Sequence, residues 1–385
     1  MLRPGSVTKM LTAALLLQCA DQGLVDLDAP ITRYLSDFRL RDEGAAERVL
    51  VRHLLSHTSG IDATDLFVDT GDDDGALGRY VGLLADVGLL SEPGAVFSYN
   101  NAGTCVAGHL VATVRDTTWE DALRTHLLEP LGMTSTGFVD GRRNGDATLA
   151  ARLARSHLAG PTGVTALPPV ATEPQWTRGL GPAGGRTVSG AADLGRFLLG
   201  LLGEPSVPAV LARATLERMR RRVVDAPGGV VQMTGSGLGW QTWQSGDLAY
   251  VRHGGAYDGQ SALIAVDPST STGVVVMTNS LNGHAAAAQV LDSVPVPWTD
   301  EPAPADLSPY AGTYRAQMGE VVIDVADGGG LTATLPAVGI TAPIWPVDRR
   351  SFVGQGGACA FFDFDGAGAP RFMRFQMRAL RRVGD

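Results

Sequence analysis

The chain has 385 residues, 31 basic against 40 acidic, for a formal net charge of −9. That length suits one large domain or two smaller ones, and a 44% hydrophobic content supplies a substantial core. Charged residues at 18% exclude a charge-rich disordered chain, and the acidic balance without a basic block argues against a nucleic-acid partner. No apolar run approaches the ~18 residues of a membrane span.

In chain order, the first predicted element is a helix after Ser6, with Val7, Met10, Leu11, Ala14 and Leu15 at helical spacing and Gly23 as its stop. It carries the chain's one lysine: Lys9 stands among 31 basic residues, the rest all arginine. Arginine serves surface charge as well as lysine does, but it cannot give up its proton. A lone lysine in an arginine background therefore marks a task that needs a deprotonatable amine. Ser6-Val-Thr-Lys9 is an S-x-x-K motif. Residues three apart share a helix face, so the Lys9 amine sits beside the Ser6 hydroxyl, a base next to a nucleophile. Residues 1–19 also look superficially like a secretory signal, but the apolar run Met10–Leu17 is short and passes smoothly into Asp21–Pro30.

Farther on, the acidic stretch Asp69–Gly75 fails the register of a calcium loop and reads as a solvated loop. Tyr99 lies in a turn between Pro93-Gly94 and a helix near Ala102, where a phenol can trade a proton with a nucleophile or leaving group. Asn101 is expected to cap that helix. The run Arg218, Arg220–Arg222 reads as a solvated helix face. His253-Gly254-Gly255 opens an apolar strand whose glycines admit a close approach by backbone or ligand. Three scattered cysteines and seven histidines show no zinc spacing, so no metal and no cofactor are expected. No G-x-S-x-G elbow is present, which disfavours an α/β-hydrolase. A Pro-rich linker (299–309) is expected to separate residues 1–298 from 310–385. In the latter, Gly319–Val325, Leu331–Leu335 and Phe361–Phe364 alternate as strands of a small antiparallel barrel.

Several separated stretches together resemble the serine β-lactamase and penicillin-binding-protein superfamily, in its class C and esterase branch. They are Gly5–Lys9, Gly23–Pro30, Leu54–Ile61 around His57, Phe97–Asn101, Gly184–Gly190, Gly237–Trp240, His253–Gly255 and Thr278–Ser280. The resemblance implies an α/β (α+β) fold: an antiparallel sheet flanked by helices, with an all-helical region, followed by the barrel, whose Tyr310–Tyr314 resembles the start of a lipocalin-like domain. It implies Ser6, Lys9 and Tyr99 as catalytic. By the same resemblance Asn101 contacts the substrate carbonyl and steadies Lys9, and the N–H groups of Ser6 and Ala256 form an oxyanion hole beside Gly254 and Gly255. It also has His253 adding a proton or positive charge near the substrate's carboxylate end, and His57 as structural. Relatives begin with two strands ahead of the nucleophile helix, and this chain starts five residues before Ser6. The expectation is a cytoplasmic protein as the chain stands, exported if an upstream segment is missing.

The leading functional reading is a serine hydrolase acting on small esters or amides through a covalent acyl-enzyme. An acyltransferase that resolves the same intermediate with an amine or alcohol is the alternative. A non-catalytic ligand binder is a third reading, which intact Ser6, Lys9 and Tyr99 oppose. Because all the motifs precede the linker, the barrel is expected to act as a lid or scaffold that the acyl-enzyme chemistry does not need.

Overall fold

The computed structural model describes every residue except 64–65, 140–146, 161–162, 168–177, 229–232, 281–282, 292–301, 327, 355–358, 367, 376 and 385. Residues 299–301 of the Pro-rich linker thus lie outside the described residues. At the centre stands α1 (Thr8–Asp21), entered directly from a 3-10 turn at Gly5–Val7. The residues at helical spacing, Met10, Leu11, Ala14 and Leu15, are buried, and so are Ala13, Leu16, Leu17 and Cys19 on the remaining faces. A helix apolar on every side belongs inside a core, which is what the run Met10–Leu17 encodes. The helix ends at Asp21, and Gly23 takes a left-handed φ of +74° just beyond it, as the stop signal anticipates.

On one side α1 meets the helices α2 (Val51–Leu55), α3 (Ala76–Gly82), α4 (Asn101–Arg115) and α5 (Trp119–Leu123) in one continuous apolar cluster. Two short ladders follow in the chain, β1 (Gly137–Phe138) with β4 (Thr187–Val188) and β2 (His157–Gly160) with β3 (Gly163–Ala166). On the other side lies a six-stranded antiparallel sheet. Its strands are β5 (Val224–Gly228), β6 (Met233–Ser236), β7 (Gln241–Ser245), β8 (Leu248–Tyr257), β9 (Gln260–Asp267) and β10 (Thr272–Thr278), in the spatial order β10-β9-β8-β7-β6-β5. Alternate residues of β9 point to opposite faces. Ile264 and Val266 join the α1 core, while Ala265 packs with Trp243, Tyr250, Phe97 and Tyr99 on the far side.

Residues 312–382 close into an eight-stranded antiparallel barrel in which each strand pairs with its chain neighbour: β11 (Gly312–Ala316), β12 (Gly319–Ala326), β13 (Gly330–Leu335), β14 (Ile340–Pro346), β15 (Ser351–Gly354), β16 (Cys359–Phe364), β17 (Pro370–Phe375) and β18 (Arg378–Arg382), with β18 returning to β11. The anticipated strands fall on β12, β13 and β16. Tyr310 and Tyr314 fill the barrel core with Phe352 and Phe362, and the Tyr310 hydroxyl donates to the Arg349 carbonyl at 2.6 Å. Leu90 and Val96 from the α-helical side complete that same apolar cluster, so the barrel is seated on the rest of the chain through a shared core.

Three glycines bring the nucleophile turn against its surroundings. A Cβ on Gly255 would lie 2.0 Å from the Pro4 carbonyl oxygen and 2.8 Å from the Ser6 nitrogen. One on Gly184 would lie 2.2 Å from the Gly5 oxygen, and Gly5 itself has φ +51° against Ala256. Side chains at these places would push the Ser6 turn off the sheet. Gly255→Ala is accordingly expected to cost about 2 kcal/mol or more in urea unfolding, and to depress turnover further at a denaturant-free temperature where the fold persists. A variant as stable as the parent would contradict the close packing.

Candidate active site

Ser6 sits in the 3-10 turn and Lys9 one turn into the helix. The register brings the Lys9 Nζ to 2.9 Å from Ser6 Oγ, and a second bond ties the same nitrogen to the Ala183 carbonyl at 2.8 Å. Lys9 is 3% exposed, whereas Ser6 remains half-buried. Two other serines in the family-like motifs are closed off: Ser59 is buried and Ser189 fully so, its hydroxyl bonded to Thr136.

The strut that fixes Lys9 is the segment Arg178–Ala183. Its carbonyl oxygens also hold Thr12, whose hydroxyl donates to Pro182 at 2.8 Å. Arg178, itself buried, anchors this segment through Glu120 at 2.8 Å, Asp74 at 2.7 Å and the Asp72 carbonyl at 3.0 Å. The acidic stretch Asp69–Gly75 is therefore more than the solvated loop its composition suggests. It clasps the buried arginine behind the lysine's carbonyl partner, a pairing invisible without knowing that residues 72 and 178 meet.

Tyr99 is buried beside this pair, with Lys9 Nζ 5.0 Å from its ring centroid. The His57 ring packs against it, tilted by 39° with 4.6 Å between ring centroids. The His57 Nδ1 accepts the Asn100 N–H at 3.1 Å, which leaves its proton on Nε2. His57 holds φ +57°, a left-handed value uncommon for a side-chain-bearing residue, and its own carbonyl accepts from Ser98. Its structural reading fits this geometry, in which it supports Tyr99 directly.

The expected cap is displaced by one residue. Asn100, with extended backbone angles, accepts the Gly103 N–H at 2.8 Å and donates to the Ile61 carbonyl at 2.7 Å, so it closes the α4 N-terminus. Asn101 is already helical and half-buried at the start of α4.

His253 also departs from expectation. It is almost fully buried on β8, its Nδ1 paired with the Gly254 carbonyl at 2.8 Å, and its ring centroid is 6.1 Å from that of Tyr99. Burial, with a smaller contribution from the Lys9 cation, pushes its pKa down to about 3. It is thus a neutral group with Nε2 as a bare acceptor among the described residues, and it supplies no positive charge at neutral pH. Gly254, Gly255 and Ala256 continue the strand past it, and Ala256 is exposed alongside the Ser6 turn.

A cation at this site comes from where sequence reasoning did not look. Arg378, at the start of β18 in the barrel, places its Cζ 5.8 Å from the Tyr99 ring centroid. The Tyr99 N–H donates to the Met377 carbonyl at 2.9 Å, and the Ala379 N–H donates to Ser98 Oγ at 3.1 Å. The barrel therefore packs directly against Tyr99 and its neighbour Ser98. No motif signals this, because the contact spans almost the entire chain.

A buried helix core, a serine hydrogen-bonded to a lysine three residues on, and a glycine-bearing strand alongside make up a candidate nucleophile site on a scaffold of helices and sheet. Residues 1–294 match the Beta-lactamase family model, and the chain belongs to this family of serine hydrolases. It is 33% identical over 335 residues to penicillin-binding protein 4 of Amycolatopsis lactamdurans, spanning 82% of this chain and 84% of that one. It is also 33% identical over 150 residues to the esterase EstB of Burkholderia gladioli, 36% and 38% of the two chains. Among solved structures, SurE with D-Leu superposes at a TM-score of 0.78 with 25% identity, covering 99% of this chain and 87% of that one. Among the described residues no helix is long and apolar enough to cross a membrane.

The buried histidines set a pH dependence. His57 lies well below its ordinary value through burial and the Lys9 charge, His253 is near 3, and burial with the Arg52 charge takes His53 to about 4. The unfolded chain binds protons that the folded chain refuses, so stability is full above the ordinary value of 6.5 and falls as pH drops from there toward 3. Denaturant titrations at pH 7.5, 6 and 5 should show this loss. His253→Gln should flatten the slope by up to about 1.4 kcal/mol per pH unit; an unchanged slope would mean that His253 is not held neutral.

Proposed function

We propose that the protein is a serine hydrolase that forms an acyl-enzyme at Ser6, with Lys9 as proton acceptor and Tyr99 as proton donor to the leaving group. The 2.9 Å Lys9–Ser6 hydrogen bond carries this reading. Lys9 Nζ donates to Ser6 Oγ and to the Ala183 oxygen; as a neutral amine it reverses the first bond, accepting the Ser6 proton as Oγ bonds the carbonyl carbon. The Ser6 and Ala256 N–H groups, packed side by side by Gly5 and Gly255, receive the developing oxyanion. Tyr99 gives its proton to the departing alcohol or amine and regains one from the Lys9 ammonium. The net transfer is thus from Ser6 to the leaving group, and water then attacks the acyl-enzyme. Asn101 and His253 border the substrate, His253 as an acceptor of a substrate N–H or O–H.

The substrates are small esters or amides whose acyl group is a D-amino-acid residue. Similarity across nearly the whole chain to SurE, seen with D-Leu, and to a penicillin-binding protein supports this choice. Resolution by an amine or alcohol in place of water would make the same site an acyltransferase.

A fluorophosphonate probe followed by peptide mass spectrometry is expected to label Ser6 and to leave Ser6→Ala unlabelled, with the fold unchanged. Modification of Ser59 or Ser189 in its place would contradict the assignment. In a panel of paired p-nitrophenyl esters, N-acetyl-D-leucyl should exceed N-acetyl-L-leucyl in kcat/KM by about tenfold or more, and an L preference would remove the stereochemical part of the reading.

A further inference from the structure

We infer that Arg378, carried by the C-terminal barrel, is a positioning residue for the reaction: it stabilises the negative charge that Tyr99 acquires when it hands its proton to the leaving group. This rests on the proposed acyl-enzyme chemistry and adds to it the part that the barrel plays.

The geometry singles Arg378 out. Its backbone is pinned on both sides, since the carbonyl before it accepts the Tyr99 N–H at 2.9 Å and the N–H after it donates to Ser98 at 3.1 Å. Met377, with φ +68°, is further gripped by Gln241, whose Nε2 reaches its sulfur at 3.5 Å. A left-handed residue other than glycine persists only where its surroundings determine it, and here they hold the next side chain against a buried phenol. Four ionisable groups contact the ring or stand near it: Lys9 from α1, His57 from the loop after α2, His253 from β8 and Arg378 from β18. Tyr250 packs in the same apolar cluster. Both histidines are neutral, so once Lys9 has taken the Ser6 proton the formal charges at the ring are two cations drawn from opposite ends of the chain. Two cations converging in a mostly buried place favour an anion between them.

During leaving-group departure Lys9 cannot serve this need alone. It holds the Ser6 proton while the phenolate exists, and its charge fades as that proton moves to the Tyr99 oxygen. Arginine stays charged throughout, so Arg378 stabilises the phenolate for as long as it exists. The effect grows with the leaving group's demand for a proton. A nitrophenolate departs unaided, while an alkoxide does not.

The test compares two esters of one acyl group, the p-nitrophenyl and methyl esters of N-acetyl-D-leucine, on the full-length protein and on Arg378→Gln and Arg378→Lys. Arg378→Gln should lower the single-turnover acylation rate for the methyl ester by about tenfold, and leave p-nitrophenyl ester acylation within about twofold. Arg378→Lys should recover most of the methyl ester rate. Equal losses on both esters in Arg378→Gln, or a rise in KM with no change in the ratio, would assign Arg378 to substrate binding or to seating the barrel and overturn the inference. Failure of the unmodified protein to turn over either ester, with Ser6 unlabelled by fluorophosphonate, would overturn the proposed function first, and the two failures are thereby distinguishable.

Discussion

One hydrogen-bonded nitrogen organises this molecule. The Lys9 amine can address Ser6 only if it is desolvated and aimed. The fold satisfies these conditions by burying α1 on all sides and offering Lys9 the Ala183 carbonyl as a second partner. That carbonyl is in turn held by the segment that Arg178 anchors to Glu120 and the acidic loop. The glycines at 5, 184 and 255 then let three backbone segments meet around the serine at distances no side chain would permit.

Charge around the site is distributed by burial as much as by residue type. His57 and His253 hold the positions where charged groups would crowd the ring of Tyr99, yet both are kept neutral by the surrounding core. They act as shape and as hydrogen-bond acceptors. The permanent cation arrives with the barrel, on a strand whose flanking backbone is bonded to residues 98 and 99. The barrel and the helical region share one apolar cluster through Leu90 and Val96, which gives that contact a rigid seat.

The parts of this arrangement legible in the sequence are the local ones. S-x-x-K three residues apart, a glycine stop after the helix and glycines on an apolar strand each follow from short-range geometry, and a single lysine among arginines points to a chemical need. The long-range parts were not legible. Composition cannot show that Asp72 and Asp74 close on Arg178 a hundred residues away, nor that β18 lies beside Tyr99. The cap on Asn100 in place of Asn101 turns on which residue leaves the extended conformation, a one-residue matter that pattern alone leaves open. His253 looked like a source of charge because the residue type permits it; only its burial decides otherwise.

The central claim is that Lys9 accepts the proton of Ser6, and Lys9→Arg tests it most directly. The substitution keeps a long cationic stem on the same helix face but removes the only ε-amine in the chain. Single-turnover acylation by N-acetyl-D-leucine p-nitrophenyl ester should fall by about 10²–10⁴-fold in a protein that still folds, as judged by circular dichroism and an unshifted unfolding cooperativity. Acylation at close to the unmodified rate would show that a fixed positive charge suffices, and that Lys9 does not take the proton.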